Sequence, residues 1–132
     1  MLPRSPAKHR HLVWLALLAG GLLLIIGIRF LLTPQAAQRS FGLAKQLTGS
    51  ELHAVIGLRD IWLALLAIAF AWLRQWRALG LWLLLGAGVC AADGIVVALT
   101  NPKAWALAFH WGAGLFCLAL GLKCWRIGGP PA

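Results

Sequence analysis

Charge is scarce in this sequence. Charged residues fill 11% of its 132 positions, and only three are acidic: Glu51, Asp60 and Asp93. A soluble domain carries about 25% charged residues, so that class is excluded. Tyrosine is absent, while tryptophan occurs eight times and hydrophobic residues reach 61%. Cysteine is limited to Cys90, Cys117 and Cys124, an odd number with no CxxC pair. A disulfide framework and a Cys-rich zinc site therefore have no support, and the three read as small buried packing residues. Histidine is equally sparse. A haem commonly takes axial histidines at matched depth, but only His53 stands on the same side as His110, and it lies about a turn away. No Ser–His–Asp spacing, phosphate loop or dinucleotide fingerprint occurs, and no cofactor is expected. The net charge of +9 is not gathered into a basic stripe with interleaved aromatics, so nucleic acid is excluded as a partner.

What is present in quantity is apolar chain. A helix crosses a bilayer with about 20 mostly apolar residues, and four segments qualify: 12–32, 54–73, 78–99 and 104–125. The first follows a basic start, but its apolar run is too long for a secretory signal and no A-x-A site follows. It reads as an uncleaved signal anchor. The division is a basic tail over 1–11, a membrane domain over 12–125 and a second tail over 126–132. The fold class is all-α, a four-helix transmembrane bundle running up-down-up-down, because the short connections at RQWR and TNPK make neighbours antiparallel. Seven basic residues (Arg4, Lys8, Arg10, Arg74, Arg77, Lys123 and Arg126) flank the spans on one side, against Arg39, Lys45 and Lys103 on the other. The positive-inside rule then puts both termini in the cytoplasm and the protein, as a multi-pass chain, in a bacterial inner (plasma) membrane.

The connection over 33–53 is the longest. Thr33 and Pro34 suit a helix start. Ala37, Phe41 and Ala44 share one face of such a helix, with Gln38, Arg39 and Lys45 elsewhere. This predicts a short amphipathic helix in the first outer loop, able to form a lid over the bundle; a plain surface loop is the alternative. Gly42 and the Thr-Gly-Ser group at 48–50 break it.

The few charges inside the spans fall at one level. Arg29 lies near the outer end of span one, Arg59 and Asp60 about a turn and a half into span two, Asp93 at a similar level in span three, and His110 six residues into span four. At about 1.5 Å per residue, these depths are roughly 5–10 Å below the outer boundary. Two cations, two carboxylates and a histidine thus share one layer. An intramembrane carboxylate costs ~3 kcal/mol on insertion scales unless partnered, and such residues are functional candidates. Gly57, Asp60, Ala64, Ala67 and Ala71 form one small-residue face. So do Gly86, Cys90 and Asp93, and Ala106, His110, Ala113 or Gly114, and Cys117. Small faces mark helix contacts in lipid, which turns Asp60, Asp93 and His110 into the bundle. Arg59 lies about 100° from Asp60 around the helix and is expected to reach Asp93 or a lipid phosphate instead. Glu51 and His53 stand at the mouth of this layer, His53 as an ordinary interfacial residue. Zinc on Asp60, Asp93 and His110 fits by ligand type, but the two arginines compete for the carboxylates and no metal is expected.

The pieces RFLLTP (29–34), GLRD (57–60), DGIVVAL (93–99) and His110 together resemble a family of small four-helix membrane proteins catalogued as a domain of unknown function, similar in architecture to DoxX-like membrane proteins. The likeness covers about residues 12–125. It implies the four-helix fold and a shared role for Arg29, Arg59, Asp60, Asp93 and His110, with no settled activity.

The expected role is binding a small hydrophobic ligand, or supporting a partner membrane protein, through the charged cluster Arg29, Arg59, Asp60, Asp93 and His110. A structural ion network is the plainer reading of the same residues. The alternatives are an isomerase-like acid–base enzyme on a lipid-soluble substrate, with Asp60, Asp93 and His110 as candidate catalytic groups, and a small transporter, which needs a dimer because four helices leave little room for a path. Partners are the lipid bilayer and, through close-packing glycines, a second copy of the chain.

Overall fold

The computed structural model describes residues 9–43, 49–100 and 102–129. Residues 1–8 and 130–132 of the expected tails fall outside them, as do Ala44 and Lys45 of the outer loop. The described residues form five helices: α1 (Arg10–Leu32), α2 (Pro34–Phe41), α3 (Ser50–Trp72), α4 (Trp76–Thr100) and α5 (Ala104–Ile127). Four are long and apolar enough to cross a membrane, close to the expected spans. The largest extension is at α3, which begins at Ser50 rather than 54. Polar Ser50 and Glu51 do not belong to an apolar run, but an acidic residue in the first turn suits the positive end of a helix, so the helix outruns the hydrophobic stretch.

Local chemistry sets the breaks. Thr33 precedes a proline and takes a non-helical conformation, φ −137° and ψ 61°. It is the N-cap residue of α2, with Pro34 as the first helical residue, as the sequence suggests. Its hydroxyl makes no cap bond there and donates instead to the Arg29 carbonyl at 3.2 Å, closing α1. Gly42 ends α2 at φ 100°, the left-handed position that glycine occupies most readily. Between α3 and α4, Gln75 N–H donates to Phe70 O and Arg74 N–H to Ala71 O, with Arg74 at φ 55°. This is the turn that commonly ends a helix with glycine, here built on an arginine.

The long helices pack as two antiparallel pairs, α1 on α3 and α4 on α5, with sparse backbone approach between the pairs. Each pair closes on glycine. A Cβ on Gly57 would stand 2.8 Å from the Gly27 carbonyl oxygen, and one on Gly80 would stand 2.7 Å from the Trp125 amide nitrogen. The face expected on α3 is buried throughout: Gly57, Asp60, Ala64, Ala67 and Ala71. The face expected on α4 is displaced. Gly86 meets nothing within 4 Å, Cys90 and Asp93 are half-buried, and the buried set is Leu79, Gly80, Leu83, Gly94 and Val97. Side-chain size alone pointed to the wrong stripe on α4; the buried one carries Leu79, Leu83 and Val97 beside its glycines, set by fit against α5.

Apolar and polar cores separate along the length. Leu12, Ala16, Ala71, Leu79, Leu83, Leu120 and Cys124 join all four long helices at the end away from α2. The buried polar residues, Gln38, His53, Asp60 and His110, lie toward α2. Outward faces carry exposed Leu18, Leu32, Trp62, Leu85, Leu99 and Leu115. Apolar surface on this scale suits lipid and is foreign to a water-soluble monomer.

Candidate functional site

The site is built from the α2 end inward. Gln38, expected on the solvent side of α2, is only 1% exposed. Its amide oxygen lies 3.1 Å from His53 Nε2, while His53 Nδ1–H donates to the Gly49 carbonyl at 2.8 Å. A neutral imidazole that donates at Nδ1 accepts at Nε2, so it pairs with Gln38 once the amide presents its NH2; an imidazolium donates to the amide oxygen directly. Phe30 stacks on the other side of His53, with ring centroids 6.2 Å apart. His53 is thus a buried anchor rather than an interfacial residue. It stands one turn before Gly57 on the buried stripe of α3, and that spacing was readable in the sequence. Nothing in the sequence marks Gln38 as its partner.

His110 anchors the far end of α2. Its Nε2–H donates to the Phe41 carbonyl at 2.9 Å, and the two rings meet edge-on at 4.6 Å. Gly42 then sits against α4 and α5; a Cβ there would stand 2.7 Å from that of Ala106 and 3.2 Å from Val97 Cγ1. On the remaining side, Arg29 donates to the Ser40 hydroxyl at 3.0 Å. An eight-residue helix therefore touches α1, α3, α4 and α5, and spans both pairs.

The charged residues lie beneath it. Asp60 is buried, and its Oδ1 accepts from Arg59 Nε at 3.2 Å and Nη2 at 3.1 Å. This corrects the expectation that neighbouring residues 100° apart cannot pair. The angle separates their Cβ directions, but the arginine stem is long enough to fold its guanidinium back over the next residue. Arg59 itself remains 61% exposed along its side chain. The Asp93 carboxyl lies within electrostatic range of His110, Arg59 and Asp60, whereas Arg29 is turned to α2 and exposed, and Glu51 is exposed at the start of α3. Among the described residues, every buried side-chain nitrogen and oxygen has a hydrogen-bond partner, and no three His, Cys, Asp or Glu side chains gather as metal ligands. Deeper along the α4–α5 contact Cys90 and Cys117 lie close enough to influence one another, a pairing their separation in sequence does not suggest.

Asp60→Leu is expected to weaken tertiary packing by about 1–3 kcal/mol, because Arg59 loses its partner and the polar layer its charge balance. Glu51→Leu, at an exposed position, should stay within about 0.5 kcal/mol. Unfolding of both variants in detergent micelles measures this, and equal losses would remove Asp60 from the layer.

A family model described as "Domain of unknown function (DUF4267)" matches residues 20–124. The matched range holds α2, α3 and α4, the second half of α1, most of α5 and all the residues of the charged layer. No curated protein matches the chain, and no solved structure does.

Proposed function

We propose a ligand-binding role for this chain, which belongs to the family of the domain of unknown function DUF4267. The four long helices run up-down-up-down through a cell membrane as in DoxX-like proteins, with both termini cytoplasmic. Amphipathic α2 lies at the outer surface. The ligand is a small hydrophobic molecule with a polar group, held in the outer leaflet between the two helix pairs and under α2.

One observation carries this reading. The two pairs are tight internally and meet sparsely, and toward one end both hold buried polar groups, Asp60 on α3 and His110 on α5, beneath a helix attached through His53 and His110. A purely structural network favours a closed seam with direct helix contacts. Here the cover is a separate element held by hydrogen bonds worth about 1 kcal/mol each, which is cheap to lift. Arg59, Asp60, Asp93 and His110 then offer donors and acceptors to the polar group of the guest, and the apolar walls take its remainder. An acid–base reaction in the same place is the lesser reading. His110 Nε2–H is committed to Phe41, so its Nδ1 and Asp93 would have to do the chemistry.

The test is native mass spectrometry of gently extracted protein beside its Asp60→Asn variant. A small molecule that leaves with the wild type and not with the variant supports the reading. A folded wild type that is empty, or that carries a second protein instead, overturns it. Orientation has its own test in a host without native cysteines. Single cysteines at 36 and 102 should react with an impermeant maleimide from outside, and labelling from the cytoplasmic face alone would invert the topology.

A further inference from the structure

Two of the three cysteines do not fit the reading of buried packing residues. Cys124 is buried, but Cys90 and Cys117 are half-buried, and all three are free thiols. Cys90 lies on α4 and Cys117 on α5, which pack as one tight pair. Their positions along the bundle match. Because α4 and α5 are antiparallel, the end of α4 at Thr100 lies beside the start of α5 at Ala104. At a helical rise of about 1.5 Å per residue, Cys90 is ~15 Å from that end and Cys117 ~20 Å. Both thiols therefore sit near the middle of helices long enough to cross a membrane.

The backbone turns the two thiols toward each other. A Cβ on Gly114 would stand 3.4 Å from the Cys90 Cβ. The helices thus approach here as closely as a disulfide requires, with Cβ atoms about 3.5–4.5 Å apart. Cys117 follows Gly114 by three residues and shares its face of α5. Helical side chains lean toward the N-terminus of their own helix. In an antiparallel pair the two leans oppose. Cys117 leans back to the level of Gly114 and Cys90, and Cys90 leans toward the level of Cys117. Gly114 has no side chain to stand between them, and the two thiols are close enough to influence one another. Approach from the lipid is open as well. Gly86 lies one turn before Cys90 on α4, and nothing comes within 4 Å of a Cβ placed there.

The location decides the chemistry. A charged aqueous oxidant does not enter hydrocarbon without a large cost. An oxidant that works at mid-span is uncharged, lipid-soluble and able to take protons together with electrons, so that no charge is left behind. Quinones have these properties. We propose that Cys90 and Cys117 are a redox pair, oxidised to a disulfide by a lipid-soluble quinone. Two S–H bonds break and one S–S bond forms, and the two electrons and two protons convert the quinone to its quinol. This step is separate from ligand binding under α2 and does not rest on it.

Full-length protein in lipid nanodiscs would be reduced, freed of reductant under anaerobic conditions and given a fully substituted short-chain benzoquinone, whose ring has no open carbon for thiol addition. The wild type should lose about 2 Da, the two hydrogens given up for one S–S bond, keep one alkylatable thiol and yield one quinol per chain. Peptide mapping should find Cys90 joined to Cys117. The matched quinol should leave all three thiols free. Cys124→Ala should react as the wild type does, while Cys90→Ala and Cys117→Ala should each form no disulfide and at least tenfold less quinol. An unchanged wild-type mass overturns the proposal. Equal quinol formation in Cys117→Ala also overturns it, because the thiols then do not act as a pair. A disulfide formed with hydrogen peroxide but not with the quinone removes the quinone as acceptor, and the proposal with it. Circular dichroism of each variant separates loss of reactivity from loss of fold.

Discussion

Gly57→Ala is expected to destabilise the packed protein by about 1–3 kcal/mol, although alanine is the better helix former by about 1 kcal/mol. The new methyl would stand 2.8 Å from the Gly27 carbonyl oxygen and 2.8 Å from Leu31 Cγ. A side chain can turn aside, but a helix carbonyl cannot move without shifting α1. In lipid there is little hydrophobic drive to hold helices together, and close backbone approach supplies much of the contact energy. Gly21→Ala is the matched control. Nothing lies within 4 Å of a Cβ at that position, so the change should be neutral or stabilising by up to about 1 kcal/mol. Denaturant titration in micelles reads both variants. If they behave alike, α1 and α3 do not meet at Gly27 and Gly57.

Removing the two histidines that hold α2 should release it. His53→Ala removes one hydrogen bond from the buried Gln38 amide, and His110→Ala removes one from the Phe41 carbonyl. Each lost hydrogen bond weakens the closed form by about 1–1.5 kcal/mol, and each 1.4 kcal/mol, roughly, is tenfold in an opening equilibrium. A reporter cysteine at position 37, buried in the wild type, should react with maleimide about tenfold faster in each single variant and about a hundredfold faster in the double one. A cysteine at position 64, fully buried on α3, should remain protected throughout, which separates lid opening from unfolding. Unchanged labelling at 37 would mean that the seat of Gly42 against Ala106 and Val97, rather than the histidines, holds α2 down.

The four long helices were legible because each is written as an apolar run of bilayer length, and no partner is needed to specify that. That Asp60, Asp93 and His110 fall toward the same end of their helices was legible for a related reason, since helical rise converts sequence position into distance along the axis. Depth does not determine contact. Arg29 has the right level and points to Ser40. Arg59 was assigned to Asp93 or lipid and folds back on Asp60. A long flexible side chain reaches several partners, and only the surrounding packing decides among them. Gln38 shows the limit of pattern reading. Its polarity put it outside, whereas one histidine from another helix puts it inside.

By itself the sequence determined that this chain forms four long apolar helices, that its acidic residues lie toward one end, and that small residues line the face by which α3 packs. These are properties of single segments, set by composition and a repeat of 3.6 residues. The tertiary structure alone decided which helices pair, which stripe of α4 is buried, and that α2 clasps both pairs through His53 and His110. The reason is physical. Apolar stripes of similar size are interchangeable in lipid, so the choice among them rests on tenths of an ångström at Gly27, Gly57, Gly80 and Gly121 and on hydrogen bonds whose two ends lie far apart along the chain.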